Sequence, residues 1–195
     1  MNIRHIAAIA AALVSTTASA TTIYSHGNFT NDNDKASVTF TIKTAQMIDF
    51  VSLGFAGGIS ATAHPVKAGG FDTILSIYDS AGNLVVDNDD GASAPIDTVT
   101  GRGADAAITQ LLAAGTYTVY LTQYANFGPI QLANGFAFDG GDANFASHFV
   151  DFTGVQRTGN WAIDIRNIAF VPEAGTSAVL LAGVGLLGFA ARRRG

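Results

Sequence analysis

Thr116-Tyr117-Thr118-Val119-Tyr120-Leu121-Thr122-Gln123 is the stretch on which the fold turns. Successive side chains of an extended chain point to opposite faces. Tyr117, Val119 and Leu121 therefore share one face, and Thr116, Thr118, Tyr120 and Thr122 the other. β-Branched and aromatic residues suit a pleated, half-buried surface, so the segment reads as a strand with its apolar side turned to a core. Ser37–Ile42 repeats the pattern, setting Val38, Phe40 and Ile42 against Ser37, Thr39 and Thr41. Trp161–Ile168 does so again, with Trp161, Ile163 and Ile165 inward and Asp164 with Arg166 outward as an exposed charge pair.

The intervening segments fill in a β architecture. Val51, Leu53 and Phe55 fall on one face of a further strand, and residues 56–70 read as a loose Gly/Ala-rich loop. Phe71–Asp79, the turn Ser80-Ala81-Gly82-Asn83 and Leu84–Asp87 form a predicted hairpin. A second loop, rich in Asp, Gly and Ala, spans 88–102. Residues 106–112 suit either a helical turn or a short strand. Residues 125–144 read as a long loop with room for one weak strand, and 145–152 as a further strand. About seven to nine short strands without a long helix between them predict a single antiparallel β-sandwich, jelly-roll-like in form.

The two ends of the chain differ from this middle. Met1–Ala20 has a basic start, an apolar core from Ile6 to Val14 and the small-residue close Ala18-Ser19-Ala20. That is the pattern of a signal peptide cut by signal peptidase after Ala20. At the other end an apolar run from Ala174 to Ala191 would reach ~27 Å as a helix, against ~30 Å of hydrocarbon in a bilayer. Arg192, Arg193 and Arg194 close it and would stay on the cytoplasmic side of the inner membrane. The expected organisation is a signal helix at 1–20, the sandwich at 21–171 and a transmembrane helix at 172–195. Residues 21–171 carry fourteen Asp, no Glu and six Lys or Arg, a balance of −8. So acidic a domain repels nucleic acid and anionic headgroups. With no Cys in the chain, disulfides, thiolate zinc sites and cysteine acylation are all excluded.

Two stretches resemble known families. Val171-Pro172-Glu173-Ala174, followed by the apolar run and the Arg192–Arg194 stop, resembles the PEP-CTERM sorting signal of Gram-negative bacteria, with Ala174 where the motif has its second Pro. The resemblance implies processing near that motif by an exosortase, an intramembrane cysteine transpeptidase. It also implies association with exopolysaccharide and biofilm matrix. The order Phe71-Asp72-Thr73, Tyr78-Asp79, Gly82-Asn83-Leu84, Asn88-Asp89-Asp90 and Ala114-Gly115-Thr116-Tyr117 is similar to bacterial pre-peptidase C-terminal domains. Those are β-sandwich accessory modules of secreted proteins, and the similarity brings no catalytic residues.

Candidate chemistry is sparse. Asp87-Asn88-Asp89-Asp90-Gly91 is the densest oxygen cluster, with Asp72 and Asp79 flanking the preceding strand. Asp87, Asp89 and Asp90 are candidate Ca²⁺ ligands, since that ion takes six to eight oxygens. The EF-hand spacing fails, and the competing reading is a solvated turn whose Asx side chains cap their own backbone. Asn31–Asp34 is a similar, weaker cluster. His26, His64 and His148 are isolated in sequence, with no zinc-binding spacing. Gly58-Ile59-Ser60-Ala61-Thr62 lacks the final Gly of a nucleophile elbow. The late aromatics suit core filling better than sugar stacking. The expected role is a non-enzymatic cell-surface or extracellular-matrix protein without a certain cofactor. The alternative is a polysaccharide- or protein-binding module, calcium-stabilised.

Overall fold

The alternation at residues 116–123 is realised as a strand with Tyr117, Val119 and Leu121 buried. The computed structural model describes residues 19–140, 151 and 154–170. Among them, ten strands follow in chain order. They are β1 (Ser19–Asn28), β2 (Ala36–Ile42), β3 (Gln46–Ser52), β4 (Gly58–Ile59), β5 (Pro65–Val66), β6 (Thr73–Asp79), β7 (Leu84–Asn88), β8 (Ala107–Leu112), β9 (Gly115–Gln123) and β10 (Asn160–Phe170). One sheet has the order β1-β10-β3-β8, the other β2-β9-β6-β7, and β4-β5 is a separate hairpin. With that hairpin set aside, eight strands divide between two sheets as in a jelly roll, with the first and last strands adjacent. The expected sandwich is present.

The two inner faces meet in one apolar layer. Ile48 and Phe50 of β3, Ile108 and Leu112 of β8, and Ile163 and Ile165 of β10 face Phe40 and Ile42 of β2, Leu75 and Ile77 of β6, and the three β9 residues. Phe40 and Phe50 touch across the layer with ring centroids 5.8 Å apart. Each such buried side chain contributes about 1.5–3 kcal/mol, which is how a domain of this size holds together without disulfides.

The pairings give the sandwich two unlike ends. Residues 43–45, 80–83 and 113–114 make short turns at one end, where β10 also finishes. The long connections 29–35, 53–72, 89–106 and 124–159 crowd the other. Two of them fold back over the outer faces of the sheets. The first, carrying β4 and β5, covers Val51, Leu53 and Ala162 with help from Val66. The second crosses β6 and β9, where Tyr78, Tyr120 and Phe136 pack ring against ring and the Tyr78 hydroxyl donates to Pro129 O at 2.8 Å. Asn126, fully buried, anchors it by accepting from Phe138 N–H at 2.9 Å.

These straps correct three expectations. Residues 56–70 are not a loose loop, because they contain a hairpin and a buried contact surface. Val51 and Leu53 do not face the main core; Ile48 and Phe50 do, and the strand starts earlier, at Gln46. Asp164 and Arg166 are not an exposed pair. The Asp164 side chain is 0 % exposed, bound to Arg166 Nη2 at 2.8 Å and accepting Ala61 N–H at 2.7 Å from the first strap. Residues 107–112 form a strand, resolving the ambiguity there, and β1 went unpredicted altogether. The expected signal and transmembrane helices, and the strand expected at 145–152, fall outside the described residues apart from Ser19 and Ala20, which open β1 as strand rather than helix, and Asp151. Among the described residues no helix is long and apolar enough to cross a membrane.

Gly70 lets the first strap return to the sheet. A Cβ there would overlap the backbone oxygens of Asn160 and Gly54, neither of which can swing aside. Gly70→Ala is expected to cost about 1–3 kcal/mol, lowering the melting temperature by several degrees. Gly103→Ala, where the added carbon meets Pro95 O at an ordinary 3.4 Å, should leave it nearly unchanged. Equal melting temperatures for the two variants would contradict this account.

Candidate functional site

At the long-loop end, buried polar groups knit the connections together. Asp105 is fully buried and accepts from the Ser52 hydroxyl (2.9 Å), Phe55 N–H (3.1 Å) and Ala56 N–H (2.8 Å). Ser52 Oγ lies 2.6 Å from Thr73 Oγ1, and Ala106 N–H donates to both hydroxyl oxygens. Burial raises the Asp105 pKa even against these donors. Nearby, Arg157 donates through Nη2 to Asp97 at 3.0 Å and through Nε to Asp151 at 2.7 Å, with all three side chains at most 3 % exposed. Its guanidinium carbon sits 3.8 Å above the Phe55 ring centre. Burial pushes the Asp97 carboxyl up, but donors from Val99, Thr100 and Arg157 outweigh it and hold the pKa below the ordinary value. Each of these groups is bonded to loop backbone or to another member of the cluster.

Asp72 is different. Its carboxyl is pushed up to about 7, first by burial and then by the charges of Asp90, Asp89, Asp105 and Asp151. Its Oδ1 is buried and accepts no hydrogen bond. Asp89 and Asp90 therefore lie toward Asp72, whereas Asp87, exposed on β7, acts on Tyr78, whose phenol is pushed up to about 12 by burial and then by that charge. Asp87, the first of the three expected calcium ligands, lies on β7, and Asp89 and Asp90 directly follow that strand. Among the described residues no three His, Asp or Glu are grouped so as to hold a metal ion. Two other Asp-rich turns are self-capped. Asp34 Oδ2 accepts from Thr30 and Asn31 N–H, and Asp79 takes the side chain and backbone N–H of Asn83 together with Ala81 N–H. Those Asn83 bonds lower the Asp79 pKa.

The structure brings together two histidines that sequence reading left apart. His26 and His64 stack on Tyr24, with centroids 5.2 and 4.9 Å away. Thr62 Oγ1 lies 2.9 Å from His64 Nδ1 and 3.1 Å from Ser60 Oγ, while His64 N–H donates back to Ser60 Oγ at 2.9 Å. This chain of contacts closes the β4–β5 turn. His148 lies outside the described residues.

A concavity of about 690 Å³ opens at the short-turn end. Its walls are the β6–β7 turn (Asp79–Gly82) and the short 3-10 turn Leu132–Asn134 with Gln131; its floor is Thr116 and Thr118 of β9. Leu132 N–H donates to Gly82 O at 2.8 Å and Leu84 N–H to Ile130 O at 2.9 Å, so the second strap is pinned to the hairpin. Gly82 has φ +79° and leaves just enough room for Gln131. Thr116 and Thr118 pair through their hydroxyls with Thr41 and Thr39, each at 2.9 Å. The predicted turn at Ser80–Asn83 lies on this groove, though nothing in that turn marks it as a binding site. The groove's signal in the sequence is the outward threonine row of residues 116–123.

Comparison with known families finds the PEP-CTERM protein-sorting motif at residues 170–194. It marks an exported protein processed by an exosortase. The match holds Val171, Pro172, Glu173, Ala174 and Arg192–Arg194, all outside the described residues, and leaves the sandwich before Phe170 uncovered. Ala18 also lies outside the described residues, whereas Ala20 is exposed near the start of β1. A search of curated proteins returns no match.

Two outcomes follow for the long-loop end. A carboxyl whose pKa rises on folding holds its proton more tightly in the folded state. The stability it brings is full below its unfolded value of about 4 and is lost as pH climbs through about 7. Asp72→Asn should therefore melt above the parent at pH 8, with the gap narrowing toward pH 4; a gap independent of pH would count against a raised Asp72. Arg157→Met leaves two buried carboxylates facing each other and is expected to cost about 3–5 kcal/mol in chemical denaturation. Adding Asp97→Asn and Asp151→Asn should recover much of that loss.

Proposed function

We propose that the chain is a non-enzymatic cell-surface or extracellular-matrix protein of a Gram-negative bacterium. An N-terminal signal peptide exports it, the C-terminal segment holds it in the inner membrane during transit, and an exosortase releases the sandwich to the surface. The observation that carries this reading is the sorting motif beginning at residue 170, where β10 ends. Support for a non-catalytic domain comes from the long-loop end, where Asp105, Asp97, Asp151 and Arg157 are bonded to backbone or to one another.

The sandwich fits the pre-peptidase C-terminal type of accessory module. The residues that carry the resemblance fall on β6, its turn, β7 and the start of β9 or within two residues of them, and these strands are neighbours in one sheet. The second reading, a binding module, is favoured by the groove beside that same hairpin.

Intact-mass measurement of the surface-exposed protein tests the sorting route. The expected species begins at Thr21 and ends near Pro172. A surface species that retains Gly195 is a permanently anchored protein and would overturn the proposed release.

A further inference from the structure

We propose that the groove between the β6–β7 turn, the β9 threonines and residues 131–133 is a binding site for a neutral glycan. The proposal takes from the function above only that the domain reaches a space where glycans are present.

The lining decides the ligand class. Thr116, Thr118 and Ser80 present hydroxyls, Gln131 an amide, and the turn its backbone. Among the described residues no Lys, Arg or His lines the groove, and the one carboxylate that does, Asp79, is already engaged by Asn83 and Ala81. An anionic ligand would meet that charge, and an acidic domain, with no cation to receive it. A cation would find a single carboxylate with its acceptor sites largely filled. An apolar ligand would strip water from the threonine hydroxyls without replacing their hydrogen bonds. A neutral polyol escapes all three penalties, because each of its hydroxyls both donates and accepts, as do those of Thr116 and Thr118.

The geometry is also prepared in advance. At ~3.4 Å per residue, Thr116 and Thr118 stand roughly 7 Å apart along β9, and their bonds to Thr41 and Thr39 continue the hydroxyl floor onto β2. The facing wall is held by the Leu132–Gly82 and Leu84–Ile130 backbone bonds and by Gln131 Nε2, which donates to Asn83 Oδ1 at 3.2 Å. Little ordering is left to occur on binding. The volume lies within the ~300–1,000 Å³ usual for small-ligand sites. Tyr78 borders the groove but is fully buried with its hydroxyl tied to Pro129, so it offers no face for a sugar ring to stack on. Single-site affinity is accordingly modest, and a polymer presenting many repeats is the appropriate probe.

The test is native affinity electrophoresis of the detergent-solubilised full chain through gels containing dextran, hydroxyethylcellulose or galactomannan, with alginate as the anionic counterpart. At least one neutral polymer should retard the protein and alginate should not. Thr116→Val with Thr118→Val removes two hydroxyls at nearly constant shape and should weaken binding by at least about fivefold. Serine at both positions should restore it, which separates a lost contact from a lost fold. Tyr124→Ala with Phe127→Ala, an exposed aromatic pair beyond the far end of β9, should leave binding unchanged. The proposal is overturned by no retardation in any neutral polymer, by equal retardation in alginate, by valine variants that bind like the parent, or by binding that follows Tyr124 and Phe127. None of these results depends on where the cell sends the protein, so they leave the sorting route to its own mass measurement.

Discussion

Asp105 is the point at which the two sheets and the first strap are fastened together. Its carboxylate accepts from Ser52 on β3 and from the backbone of residues 55 and 56, where the strap departs. Ser52 in turn contacts Thr73 on β6, in the opposite sheet, and the next residue, Ala106, donates into the same pair of hydroxyls as β8 begins. Apolar burial between sheets is strong but indifferent to small slides along the strands. A buried, fully partnered polar cluster is not, because any slide strands a donor or acceptor at a cost of about 1–3 kcal/mol. The core supplies most of the stability, and the Asp105 cluster fixes where one sheet stops against the other.

The same short carboxylate recurs throughout the connections. Asp34, Asp79, Asp97, Asp139 and Asp151 each accept from backbone N–H groups within four residues of themselves. Asp reaches its own neighbouring backbone where the longer Glu does not, which accounts for a domain with fourteen Asp and no Glu between residues 21 and 171. Two of the five, Asp97 and Asp151, also share the Arg157 guanidinium, and Asp139 takes Lys35, which also lies over the Phe136 ring. The capping reading of the Asx-rich turns therefore describes Asp34 and Asp79 well. It does not describe Asp72, whose free buried oxygen comes from a fold-level crowding of carboxylates that no local window contains.

How much was legible follows from what covers each strand. β2 has one face on the core and one largely open, and β9 one face on the core and one only half-buried over most of its length, so their period of two is plain in the sequence. β6 is buried on both faces, six of its seven residues being buried, and its alternation vanishes; only its β-branched and aromatic content betrayed it. β3 misled for a related reason. With the first strap lying on its outer side, Val51 and Leu53 are as buried as Ile48 and Phe50, and apolar spacing alone cannot say which pair is inward. Asp164 looked exposed because its position on the outer face was read correctly and the strap above it was not. The groove and the stack of His26, Tyr24 and His64 stayed invisible because each joins segments separated by tens of residues.

The strand order also ties completion of the fold to the end of the chain. β10 is not an edge strand: it lies between β1 and β3, and β1 has no other neighbour in its sheet. A chain that has emerged only through β9 can assemble β2-β9-β6-β7, yet it leaves β1 unpaired and the inner face of the other sheet incomplete. Pairings between the first and last strands are also the ones with the largest loop-closure cost, so they form late. The residues that complete this sheet end at Phe170, and the sorting motif overlaps that last residue. Pro172 follows two positions later in the sequence, and a proline lacks the N–H that a ladder needs. Folding and sorting are thus read from adjoining residues, and the segment that the exosortase recognises begins where the sandwich is finished.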